Sequence, residues 1–309
     1  MSGHCTCDCL CSSLGCRAKC VCARRGTSRD SSDRREYAGD CRCSGERGGA
    51  GAEVSSVIPA EGDPHTYEAT PRDILAVGEA NAFVSMGKSL EPFMEAGAWR
   101  RAVREAGIPE LTIDDEMELI AVDKVIDHGD HVHDLREGDP HVWLDPLKTV
   151  EMVAVIAAFL AEIDPEGAEG YAATAAGYEE TPRALHGEME EGLARIPEER
   201  RKLVVFHDAY TYFAARYGFE IVGMVLKNPG AEASAKEVAA LKETIEEAGV
   251  TVVFGEPRFN TDVLEVVVAE TGVEIGVLLT DSFAGEVDGY VEMMRFNLES
   301  LTSHLVSET

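Results

Sequence analysis

Cysteine is absent from the last 266 residues of this chain; all nine cysteines lie between Cys5 and Cys43. A disulfide framework therefore cannot hold most of the molecule together, and a thiolate metal site is excluded there. Long apolar runs are also missing. The longest, MVAVIAAFLA at Met152–Ala161, has ten residues, about half of what a membrane-crossing helix needs. The first fifty residues contain no apolar core of the kind a secretory signal carries. Basic residues are scarce: 28 Lys and Arg against 57 Asp and Glu give a formal net charge of −29. Such a field repels nucleic acid and attracts cations. Most of it reads as a solvated acidic surface, and a metal site would use only a few of these carboxylates.

The charge is unevenly placed. Residues 1–50 carry a net +3 and the remainder a net −32. Apart from cysteine, the first fifty residues are mainly Arg, Ser and Gly, without apolar periodicity. Three readings compete for them. Their C-x-C runs could bind soft metals as thiolates, making a Cys-rich metal store, or they could form disulfides. Alternatively, the segment is a misplaced or frame-shifted start. The abrupt change of composition favours the last, so residues 1–50 are expected to be disordered or mis-assigned.

From Gly51 the pattern is that of an α/β protein. EVSSVIP (53–59) reads as a strand, and TPRD opens a helix with Thr70 as N-cap, Pro71 at the first position and Asp73 reaching back. Further strands are predicted at Ala82–Met86 and Glu116–Val122, with helices over 91–106 and Lys148–Ile163. Asp164-Pro165 opens an Ala/Glu-rich stretch to about Arg195, long enough for a helix of ~45 Å, with Pro182 inside it. The alternation then restarts: strands at Lys202–Phe206, 220–225, 251–255 and 274–279, and helices over Ala209–Tyr217, Ser234–Ala248, Asp262–Thr271 and from Val287 onward. Strands alternating with helices imply mainly parallel sheets. The expected organisation is an N-terminal lobe over 51–163, a connecting helix over 164–196 and a C-terminal lobe over 197–309.

Candidate ligands collect where strands end, the side on which open α/β sheets bind ligands. KLVVF runs into His207, and EIGVLL runs through Thr280 into Asp281. In the first lobe, EVSSVIP leads to His65 and EMELIAV leads through a His-rich loop to His141. Each lobe would then offer two ligands to a cleft between them. Three imidazoles and a carboxylate suit Zn²⁺ in tetrahedral geometry. The spacings of 76, 66 and 74 residues say little by themselves. The tripeptide DPH, at Asp63–His65 and again at Asp139–His141, is the more telling feature. Neither HExxH nor a nucleophile elbow is present, and a zinc metalloenzyme would have only Glu256 as an evident general base.

DPHTYEATPRD, GDPHVWLDP, VVFHDAYTYFAARYG, FGEPRF and LLTDSF resemble the zinc/manganese-binding solute-binding proteins of metal-ion ABC transporters. The resemblance runs from about Glu53 to the C-terminus, with the motifs in family order. It implies two lobes joined by one long rigid helix, a metal in the cleft, and no catalysis. It implies His65, His141, His207 and Asp281 as ligands, with Glu256 behind them. It implies an ABC permease as partner and a place outside the cytoplasm, at the membrane. DHGDHVHD falls where zinc-type members carry a His-rich loop, making His128, His131 and His133 auxiliary metal-gathering candidates. Manganese-type members often have a carboxylate where this chain has His207, so the resemblance favours zinc and keeps manganese as the alternative. Members begin with an export signal and then a first strand and helix. The Cys-rich segment stands in that place, so the N-terminal lobe is expected to be incomplete.

Overall fold

The structure is a computed structural model that describes residues 21–25, 52–59, 62–87, 90–122, 125–127, 132–134, 136–225, 234–257, 262–281, 283, 287 and 289–306. The chain separates into two compact units. Unit 1 comprises residues 1–116 and 152–178, and unit 2 comprises 117–151 and 179–309.

Unit 1 is built on a four-stranded sheet of β1 (Val21–Arg25), β2 (Ala52–Ser56), β3 (Ala82–Ser85) and β4 (Glu110–Thr112), in the order β2-β1-β3-β4. β3 and β4 are parallel, whereas β1 runs antiparallel to both of its neighbours. The sequence led us to expect a sheet with an unfilled position near β2. In the structure β1, from within the first fifty residues, occupies the place between β2 and β3, and backbone hydrogen bonding is the physical reason a strand there is favoured. Helix α1 (Pro71–Gly78) starts as its sequence dictates: Thr70 and Asp73 form a reciprocal capping box with Pro71 behind it. Helix α2 (Gly97–Ala106) ends on Gly107, which takes the left-handed conformation. Trp99 from α2 packs edge-on against Phe83 and Phe93, with ring centroids 5.3 and 5.1 Å away. Val57, Ile58 and Val77 complete this core.

Unit 2 holds a fully parallel sheet of β7 (Lys202–Val205), β8 (Glu220–Met224), β9 (Val252–Gly255) and β10 (Glu274–Val277), in the order β10-β9-β7-β8. β7 and β9 are buried along nearly their whole length, as their unbroken Val/Leu/Phe runs require. Helices α5 (Thr211–Tyr217), α6 (Ala235–Ala248), α7 (Asp262–Thr271) and α8 (Tyr290–Leu305) accompany these strands. Val204, Phe206, Leu241, Ile245, Val253, Leu264 and Val267 form the core. Helix α6 opens on a second capping box, Ser234 with Glu237. A small antiparallel hairpin, β5 (Val125–Asp127) with β6 (Val132–Asp134), also belongs to this unit.

Two helices, α3 (Pro146–Ile163) and α4 (Ala168–Leu193), each contribute residues to both units. The 26 residues of α4 make it ~39 Å long, with Pro182 inside. Among the described residues, no helix is long and apolar enough to cross a membrane.

One predicted strand is not formed. The stretch Glu116–Val122 is not a strand: Glu116 is in a turn, and 118–122 have no regular structure. Its polar backbone is satisfied locally instead, with Ile120 N–H donating to Tyr212 Oη at 2.9 Å and Ile120 C=O accepting from Asp139 N–H at 2.9 Å. Residues 117–151 group with unit 2. The bonds that draw them there are Trp143 to Thr280, Tyr290 to Trp143, Tyr212 to Asp139 and Arg216 to Asp145.

Candidate metal centre

Three adjacent strands of the unit 2 sheet deliver side chains from their carboxyl ends. β7 runs through Phe206 to His207, β9 runs directly into Glu256, and β10 runs on to Thr280 and Asp281. A fourth group, His141, comes from the turn before α3, where a short 3₁₀ turn (Val142–Leu144) follows it. His141, His207, Glu256 and Asp281 are each no more than 4% exposed.

The two histidines are held alike. His207 Nδ1 lies 2.6 Å from Glu256 Oε1, and His141 Nδ1 lies 2.7 Å from Asp139 Oδ1. A carboxylate beside Nδ1 favours the tautomer that carries its proton there, which orients the ring with Nε2 as the metal-binding nitrogen. Both Nε2 atoms face Asp281: His207 Nε2 is 3.5 Å from Oδ2, and His141 Nε2 is 3.9 Å from Oδ1. The two imidazole rings lie 5.5 Å apart, and the ligand atoms of His141, His207 and Asp281 fall within 4.8 Å of one another. Three carboxylates, from Asp139, Glu256 and Asp281, are thus buried around two imidazoles. A buried charge must be compensated, and a divalent cation bound by two nitrogens and an oxygen does so with the donor types that zinc accepts.

The surrounding network fixes these groups. Thr280 Oγ1 donates to Glu256 Oε2 at 2.6 Å, so this carboxylate holds His207 with one oxygen and the β10 turn with the other. Tyr212 Oη donates to Asp139 C=O at 2.8 Å. Burial pushes the Tyr212 hydroxyl well above its ordinary pKa, so it stays protonated and able to donate. Arg216 Nε and Nη2 reach Asp145 Oδ2 at 2.9 and 2.7 Å, and this hydrogen bond raises the guanidinium pKa further. Gly138 precedes the motif at a φ of 130°, and a Cβ there would lie 2.5 Å from Leu119 Cβ.

The two DPH copies share one backbone contact. In each copy the aspartate accepts the backbone N–H of the histidine two residues on, at 3.0 Å for Asp63 and His65 and at 2.9 Å for Asp139 and His141. His65 belongs to unit 1 and is 2% exposed. His133 lies in β6, where its backbone pairs with Ile126. His128 and His131 lie outside the described residues. Sequence reasoning missed Asp139, Thr280, Trp143 and Tyr212. Only Asp139 carried a signal, since DPH twice places a carboxylate two residues before a histidine.

The comparisons with known proteins agree with this chemistry. A family model described as zinc-uptake complex component A, periplasmic, matches residues 47–304. The chain belongs to the ZnuA family. ZnuA-family members are periplasmic metal-binding proteins of ABC transporters; they capture an ion for uptake and are not enzymes. The manganese-binding lipoprotein MntA of Halalkalibacterium halodurans is 31% identical over 264 residues, covering 83% of this chain and 82% of the relative. The zinc-binding protein AdcA of Streptococcus pyogenes is 28% identical over 270 residues, which is 82% of this chain but 52%, about half, of AdcA. A solved structure of a ZnuA deletion mutant with zinc bound has a TM-score of 0.66 at 27% identity, covering 82% of this chain and 89% of that one. The mixed α/β fold with parallel strands, expected from the sequence, is the fold of these ZnuA-type neighbours.

Proposed function

We propose that this chain captures zinc with His65, His141, His207 and Asp281 and hands it to the permease of an ABC uptake system. The observation that supports it best is the paired arrangement in unit 2. Two buried imidazoles each have Nδ1 on a carboxylate and Nε2 toward Asp281. His65 supplies the fourth ligand in this reading, supported by its burial and by the turn it shares with His141. Four protein ligands close the coordination sphere, as suits capture, whereas a catalytic zinc keeps an open position. Glu256 acts through His207, keeping that ring oriented and basic. The protein works outside the cytoplasm, at the membrane that carries its permease.

Zinc is favoured over manganese because imidazole nitrogen suits zinc and oxygen suits manganese. The manganese reading is supported by the name of MntA, a relative at 31% identity. Competition titration of the parent, His141→Ala and His207→Ala with zinc and manganese tests both readings. Zinc should bind the parent more tightly, and each substitution should weaken zinc at least about 100-fold. Parent-like zinc binding in both variants would overturn the assignment. His128, His131 and His133 gather ions without forming the main site in this reading. Deleting residues 127–134 should slow loading at low zinc yet leave the affinity of the main site within about threefold, measured by the same titration.

A further inference from the structure

The two loops that carry His141 and Asp281 are gripped by one helix. Tyr290, the first residue of α8, donates its hydroxyl to the Trp143 carbonyl at 2.9 Å, two residues after His141. Asn297, two turns further along α8, bonds both sides of Leu279, two residues before Asp281. Its Oδ1 accepts the Leu279 N–H and its Nδ2 donates to the Leu279 C=O, both at 2.8 Å. The residues between are tied as well, since Trp143 Nε1–H donates to Thr280 C=O at 3.1 Å. Tyr290 and Asn297 are each 2% exposed, and Thr149 donates to the Tyr290 hydroxyl at 3.0 Å, so neither side chain is free to choose another rotamer.

We propose that Tyr290 and Asn297 are positioning residues that set the distance between His141 Nε2 and Asp281, and with it the discrimination between zinc and manganese. The inference rests on the proposed metal site but is separable from it. A helix is stiff, and its turns at Tyr290 and Asn297 hold two otherwise irregular loops at fixed points. Helix α8 therefore acts as a gauge for the span between a nitrogen and an oxygen donor. Zinc takes four short bonds in a tetrahedron, whereas manganese tolerates more oxygen donors and wider arrangements. Releasing either loop lets the span relax, which costs a small tetrahedral ion more than a larger one.

Tyr290→Phe removes one grip with little change of volume, and Asn297→Leu removes both bonds of the other. The test measures zinc and manganese affinity for each variant, the visible absorption of the Co²⁺-loaded protein, and the melting temperature without metal. His141→Ala is carried alongside. In each variant zinc affinity should fall about 10- to 100-fold, the range typical of groups behind metal ligands, while manganese affinity changes less than threefold. The Co²⁺ bands should weaken and shift away from the tetrahedral pattern. Variants that melt lower but keep the parent's zinc-to-manganese ratio and Co²⁺ spectrum would overturn the proposal, because they would make Tyr290 and Asn297 merely structural. If Asn297→Leu does not fold, Tyr290→Phe decides by the same readings. Should His141→Ala bind zinc like the parent, the metal-site assignment itself falls; if it loses zinc while the ratio holds in the other variants, only the gauge falls.

Discussion

Each histidine of the unit 2 rim has one ring nitrogen committed to a carboxylate, which decides what the other nitrogen can do. Glu256→Gln tests this at the scale of one atom. The amide can still accept from His207 Nδ1–H, but it no longer carries the charge that makes the imidazole a strong donor. Zinc affinity should fall about 10-fold, and the Thr280 contact should survive, measured by titration and by an unchanged melting temperature. Acid should act in the same direction. Protons compete with a metal for imidazole nitrogen, so zinc should be lost as pH falls. The ligand candidates were legible in the sequence because each follows an apolar strand or repeats a DPH turn. Asn297 was not. It is a polar residue within an amphipathic helix pattern, and the backbone it holds lies 18 residues away. The Trp143 contact with Thr280 spans 137 residues, a pairing that no local pattern encodes.

Among the elements, those with both periodicity and a start signal were readable. The Thr70 and Ser234 capping boxes mark α1 and α6, and the apolar runs of β7 and β9 match their burial. EMELIAV misled for an understandable reason. Alternating Glu with Met, Leu and Ile mimics a half-buried strand, but the stretch has side-chain and loop partners in place of a neighbouring strand. The turn just after it depends on Gly138. Gly138→Ala would place a Cβ against Leu119 at a φ that L-residues rarely adopt. A loss of about 1–3 kcal/mol is expected, read from denaturant midpoints. Because Asp139 follows directly, zinc should also bind more weakly than the stability loss alone would give.

For the whole molecule, the sequence conveyed an α/β chain with mainly parallel sheets. Nothing in a hydropathy pattern says that 117–151 joins unit 2; only the bonds of Trp143, Asp139 and Asp145 do. At this scale the ion and the fold are linked. A ligand at a hundred times its dissociation constant adds about 2.7 kcal/mol to the folded state. Saturating zinc should therefore raise the melting temperature by on the order of 5 °C, and a chelator should reverse the shift in a thermal scan.

The three carboxylates buried around two imidazoles have a further consequence, for how long a molecule lasts. Asp139, Glu256 and Asp281 are all buried, and a bound divalent cation would offset the negative charge they can carry there. Binding of the ion should therefore make local opening of this rim rarer. Proteases act on the fraction of molecules that open, so they should clear idle copies first. Limited proteolysis with and without zinc should find the loaded chain surviving several times longer. A cell starved of the ion would then turn over its carriers fastest, and each captured ion would extend the service life of the molecule that caught it.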